Sequence, residues 1–150
     1  MSNYVVTLKR STIISAPPVR VFAAVTDWPR QAEWIPATRV TPLILGGQAA
    51  GGSISAFTGI GRFGFVDTMT IVEWTPPHRC RMHHTGRVVR GDGVFEVKPH
   101  GDNGSIFSWA ETVILPFGVI GKIGWIIAKP IALFAIGLAL KRFKRWVERV

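Results

Sequence analysis

The sequence predicts an α+β domain in which a curved, seven-stranded antiparallel sheet is closed by one long C-terminal helix. Three observations point there. Between residues 38 and 116, β-branched and aromatic stretches alternate with clusters of Gly and Pro. The longest periodic segment, Val119 to Val150, comes last. Finally, 150 residues of which 47% are apolar suffice for one core and call for no second, so residues 1–150 are expected to form a single domain.

The elements follow in order. Tyr4 to Ser15 carries Val5, Val6, Leu8, Ile13 and Ile14 among Thr and Ser and reads as a strand. Ser15-Ala16-Pro17-Pro18 ends it and opens a helix, because a proline in a first turn sacrifices no hydrogen bond. Val19, Phe22 and Val25-Thr26 recur at helical spacing up to Asp27-Trp28-Pro29. A second short helix runs from about Pro29 to Ile35 and closes at Pro36. Strands are expected over Thr38–Leu45, Ile54–Thr58, Phe63–Thr75, Arg79–Gly86, Val88–Lys98 and Ser105–Leu115, with Pro76-Pro77 breaking the long one. In the final helix, Trp125, Ala128, Ala132, Ala139, Phe143, Trp146 and Val150 form one stripe at helical spacing.

Composition narrows the function. Charged residues are 18%, below the roughly 25% of an ordinary soluble domain, so apolar surface is available for a ligand or partner. One cysteine, Cys80, excludes an internal disulfide and a cysteine-based metal site. No apolar run follows a basic stretch within Met1 to Arg10, and a cytoplasmic location is expected. The net charge of +9 invites an acidic partner. Only Lys141, Arg142, Lys144, Arg145 and Arg149 cluster, however, and without an extended stripe to follow a phosphate backbone, nucleic acid is not expected.

Val119 to Leu140 is long and apolar enough to span a bilayer. Lys122 and the central Lys129-Pro130 oppose that, since a mid-span lysine costs on the order of 3 kcal/mol. The preceding strands also need a closing helix, so a soluble helix is favoured, kinked at Pro130. Its middle turns are apolar nearly all round. This leaves room for a homodimer contact, or for a peripheral contact with anionic membrane helped by the basic tail.

Alternation along the strands identifies the candidate site. Cys80, Met82 and His84 share one face; so do Gly91, Gly93, Phe95 and Val97, and likewise Phe107, Trp109 and Glu111. His84 and Glu111 are thus ionisable groups on an otherwise apolar inner face, where an inward carboxylate can pair with an imidazole. They are the candidate catalytic pair for acid–base work, or alternatively a polar anchor for a ligand head. The same face supplies the candidate ligand contacts Phe65, Asp67, Met82, Phe95, Phe107 and Trp109, with Trp125 added from the helix. Asp67 keeps that face only while no bulge intervenes in its strand. Gly91, Gly93 and the helical alanines would leave room for a ligand. His83 and His84 are adjacent on a strand and point oppositely, so no metal site is expected. The stretch Gly59-Ile60-Gly61-Arg62-Phe63-Gly64 matches a dinucleotide pattern but opens into a strand, so no cofactor is expected.

The ordered set Ile14-Ser15-Ala16-Pro17 through Val21-Phe22, Val25-Thr26-Asp27, Trp34-Ile35-Pro36, Val72-Glu73-Trp74-Thr75-Pro76-Pro77, Trp109-Ala110-Glu111 and Leu115-Pro116 resembles the START-like (SRPBCC) superfamily. Within it, the likeness is to the bacterial polyketide cyclase/dehydrase and lipid-transport family. The resemblance covers nearly the whole chain and implies a helix-grip fold. It also implies a cavity between sheet and C-terminal helix for a lipid, polyketide or quinone-like molecule. A binder or transporter of a hydrophobic small molecule is therefore expected. The alternatives are a cyclase or dehydratase using His84 and Glu111, and a membrane-associated or oligomerising protein acting through its last helix.

Overall fold

The computed structural model describes residues 4–149. Seven strands occur in the predicted order: β1 (Tyr4–Ile14), β2 (Thr38–Pro42), β3 (Ser53–Ile60), β4 (Phe63–Thr75), β5 (Arg79–His84), β6 (Gly91–His100) and β7 (Gly104–Leu115). Helix α1 (Pro18–Val25) and a 3-10 turn (Trp28–Glu33) separate β1 from β2, and α2 (Val119–Arg149) ends the chain. The sheet order is β1-β7-β6-β5-β4-β3-β2 with every neighbouring pair antiparallel, so successive strands are hairpins except where β1 pairs with β7. This is the helix-grip architecture that the sequence predicts.

Several strand ends shift by a few residues, the strand expected from Val88 beginning at Gly91 and the one expected to reach Gly86 ending at His84, and two departures have a local reason. The strand expected to reach Leu45 stops at Pro42, and Ile44–Gly47 coils into a second 3-10 turn with Leu45 and Gly46 at positive φ. The turn brings the Gly47 carbonyl 3.0 Å from the indole nitrogen of Trp28, a buried donor that needs an acceptor. A Cβ at Gly47 would stand 2.6 Å from that nitrogen, and its φ of +67° suits glycine. The second difference is a bulge in β4 between Ile71 and Glu73. The extra residue lets Ile71 and Trp74 both turn inward, where Trp74 meets the edge of Phe22.

The outer face of the central strands is an ion-pair ladder. Arg79 bridges Glu73 and Glu96, each at 3.1 Å, and Asp92 receives His83 at 2.7 Å and Arg81 at 3.6 Å. The inner face is apolar and packs under α1, the first 3-10 turn and the C-terminal half of α2. There Phe143 stacks on Phe107 at 5.1 Å and receives the edge of Trp34 at 4.7 Å. Polar latches fix the same end of α2. Arg20 donates to the Val147 carbonyl, the Ser15 amide to Glu148 (2.8 Å) and Lys144 to the Ile13 carbonyl (2.6 Å).

The buried stripe of α2 differs from the expected one. It consists of Ile136, Ala139, Leu140, Phe143 and Val147, with Trp125, Ala132, Leu133 and Trp146 half-buried, whereas Ala128 is exposed. Val150, the last member of the expected stripe, lies outside the described residues. An all-round apolar sequence does not reveal which side docks. Here the docking side is chosen by Trp34, Phe107 and β1.

Candidate functional site

Three ionisable side chains from three strands converge on the inner face. His84 ends β5, Asp67 lies in β4 and Glu111 in β7. The pairing Met69↔His84 places Asp67 two residues along the neighbouring strand, a diagonal within side-chain reach. Glu111 is two strands away, with β6 between. That strand contributes Gly91 opposite His84 and Gly93 opposite Glu111, so no side chain blocks the path. A Cβ at Gly93 would lie 2.9 Å from one Glu111 carboxylate oxygen, and one at Gly91 would be 1.8 Å from the Thr112 carbonyl.

Across that gap the His84 imidazole is held from both sides. Nδ1 lies 2.9 and 3.0 Å from the two Asp67 oxygens, and Nε2 lies 2.9 Å from Glu111 Oε2. The other Glu111 oxygen accepts the indole N–H of Trp109 at 2.8 Å. His84 is buried, as is Asp67, and Glu111 is partly so. Burial alone would depress the imidazole pKa. The two carboxylate hydrogen bonds and their charges outweigh it and raise it from 6.5 to about 10. That direction favours the protonated ring, whose two N–H groups are both committed to carboxylate oxygens.

The triad forms the polar end of a cavity of about 150 Å³. Its roof is Trp28, Gln31 and Ile35, which the first 3-10 turn holds over the sheet. Val40, Ile54, Met69, Met82 and Phe95 make the apolar wall. Among the described residues, no Lys or Arg lines it, and no residue of α2 does either. The cavity thus lies between the sheet and the first 3-10 turn, not between the sheet and the C-terminal helix. The cause is packing: the docked half of α2 fills its part of the hollow with Phe143 against Phe107 and Trp34.

The sequence of residues 5–148 matches the family described as polyketide cyclase / dehydrase and lipid transport. The chain belongs to that family. No curated protein matches it. Among solved structures, an aromatase/cyclase from a Streptomyces species superposes with a TM-score of 0.79 at 12% identity, over 97% of this chain and 95% of that one. A protein from Thermus thermophilus gives 0.76 at 15% identity (95% and 97% covered). A polyketide-cyclase-like protein from Corynebacterium glutamicum gives 0.67 at 18% (97% and 93% covered). At these identities the likeness is one of fold.

In this polyketide cyclase/dehydrase-family chain, six of the nine predicted ligand contacts line the cavity: Asp67, Met82, His84, Phe95, Trp109 and Glu111. The other three do not. Phe65 shares the inward face but lies towards the free end of the β3–β4 hairpin, 38% exposed and past the cavity. Phe107 is fully buried beneath Phe143 and belongs to the core. Trp125 packs half-buried against the core from the first half of α2, away from the cavity. The β4 bulge lies beyond Asp67, so Asp67 keeps its inward face. Sequence reasoning missed the roof. Gln31, whose amide donates to the Val25 carbonyl at 2.8 Å, carries no periodic signal because a six-residue 3-10 turn has no stripe to read. The alternation Gly91-Asp92-Gly93 was the legible sign that something bulky crosses β6. Cys80 is buried, and burial, reinforced by Glu73, pushes its thiol up to about 12, so it supplies no nucleophile.

Proposed function

We propose that the chain binds a hydrophobic small molecule whose polar end is a hydrogen-bond donor, with its apolar part in the cavity and its donor on the carboxylates of the Asp67–His84–Glu111 triad. One observation carries this reading: the polar end of an apolar cavity sets two carboxyl groups around one imidazole and, among the described residues of the triad and its neighbour Trp109, leaves no free donor. His84 gives both N–H groups to carboxylates and Trp109 gives its own to Glu111. A fatty-acid carboxylate or an acceptor-only quinone would find no donor on the triad. A phenol, enol or quinol hydroxyl would complete a charge-assisted hydrogen bond. The volume, about 150 Å³, encloses roughly one aromatic ring, so a larger ligand would extend through the mouth. Membership of a family named for polyketide chemistry supports hydroxylated aromatic ligands.

Trp28 and Trp109 line the cavity, so their fluorescence reports occupancy. Titration with 1-naphthol should quench it saturably. The methyl ether, which keeps the ring and loses the donor, should bind at least about tenfold more weakly. Equal affinity for the two, or no saturation by either, refutes the reading.

A catalytic reading of the same site has one observation in its favour. Glu111 is a carboxylate positioned by two donors at the cavity surface, the arrangement required of a general base that removes a proton from a polyketide-like substrate. On this reading Glu111, not His84, is the base. Glu111→Gln would then abolish turnover while ligand affinity falls only a few-fold.

A further inference from the structure

The N-terminal half of α2 carries the largest run of exposed apolar side chains in the described chain. Ile120 (75% exposed), Ile127 (69%) and Phe134 (72%) are typical of it, and Val119, Ile123, Ile126 and Ile131 are exposed as well. At the helical repeat these positions fall within an arc of about 140°, opposite the side on which Trp125 and Ala132 rest against the body. The strip is roughly 29 Å long from Val119 to Leu138. Beyond Leu138 the same arc continues with Lys141, Arg145 and Arg149, and all three are exposed. From Val119 to Val147 the helix contains no acidic residue.

We propose that this face is a docking surface for an anionic lipid bilayer, on which α2 lies with its isoleucines and Phe134 among the acyl chains and its C-terminal cations on the headgroups. The inference is independent of the cavity reading. Charge complementarity selects this occupant over a second copy of the chain. Two such strips packed in parallel would set Lys141, Arg145 and Arg149 against their own like charges. Packed antiparallel, they would lay those cations on the partner's apolar stretch with no carboxylate to receive them. The structure also limits the depth. Ile136, Ala139, Leu140 and Phe143 are core residues, so the helix cannot cross a bilayer without unpacking the domain. Pro130 leaves the Ile126 carbonyl without its helical donor, a polar group that belongs at the wet interface and not in hydrocarbon.

The test is flotation of the full chain with phosphatidylcholine vesicles and with vesicles containing about 30% phosphatidylglycerol. Binding to the anionic vesicles is expected, with partitioning at least tenfold weaker to the neutral ones and falling as salt is raised. Ile127→Ser/Phe134→Ser should reduce partitioning at least tenfold. Lys141→Gln/Arg145→Gln/Arg149→Gln should reduce it on the order of a hundredfold, and only for anionic vesicles. All five side chains are exposed, so both variants should keep the wild-type circular dichroism and melting temperature. Three results overturn the proposal: no vesicle binding by a folded wild-type chain; a dimer in sedimentation that Ile127→Ser/Phe134→Ser dissolves while vesicles are ignored; or retention in membranes after alkaline carbonate extraction, the mark of a true span.

Discussion

The buried imidazolium makes a quantitative demand on how stability varies with pH. His84 has a folded pKa near 10 against 6.5 for an ordinary imidazole. A raised pKa means that the folded chain binds the proton more tightly than the unfolded chain. The triad's contribution is thus fully present below about pH 6.5 and is lost as pH rises through about 10. In between, stability falls by up to ~1.4 kcal/mol per pH unit, which makes ~5 kcal/mol the ceiling for the whole interval. The useful window is narrower, because Cys80, pushed up by burial, adds a slope of the same sign above about pH 9. From about pH 7 to about pH 8.5 the His84 share integrates to about 2 kcal/mol. Urea unfolding at several pH values in that window should show the midpoint falling while the m-value stays constant. Nitrogen NMR of the imidazole should show both ring nitrogens protonated at about pH 8.5. A flat or rising stability curve, or an imidazole that titrates near its usual value, refutes the imidazolium assignment.

Three further outcomes follow from the packing. Gly93→Ala should fold but drive its new methyl into the Glu111 carboxylate, lowering the His84 pKa seen by NMR and weakening 1-naphthol binding several-fold. Trp109→Phe keeps the ring and removes the donor to Glu111 (2.8 Å), so chemical denaturation should register a loss of about 1–3 kcal/mol. Phe143→Ala empties the contact between Phe107 and Trp34 and should cost about 3–5 kcal/mol in the same assay, without moving the His84 pKa, since Phe143 does not line the cavity.

What was legible in the sequence was the part governed by short-range periodicity. Alternation placed His84, Glu111 and Asp67 on one face, and turn chemistry divided the strands at Pro76-Pro77. Those signals do not carry distance between strands. That His84 and Glu111 touch depends on β6 lying between them and presenting glycines, a consequence of pairing register. The cavity's position was misplaced for a related reason. Family resemblance pointed to the space under α2, but Phe107, Trp34 and Phe143 fill that space through contacts far apart in sequence. The apolar strip of α2 was visible as composition. Its exposure was not, because a helix that is greasy on every side shows no preference until its neighbours are known.

The same helix is hydrogen-bonded to the body through its last turns, and near its start Lys122 sits over the Tyr4 ring at 4.9 Å. Lys144, Val147 and Glu148 tie its last turns to β1 and to Arg20, while the first four turns rest on the body through half-buried side chains. Substitutions along the outward side of those first turns disturb no buried contact, and exposed positions of that kind usually change folding free energy by no more than about 0.5 kcal/mol. A scaffold of this shape can therefore have the character of that outward side rewritten by a few substitutions, leaving the pocket's chemistry as it was.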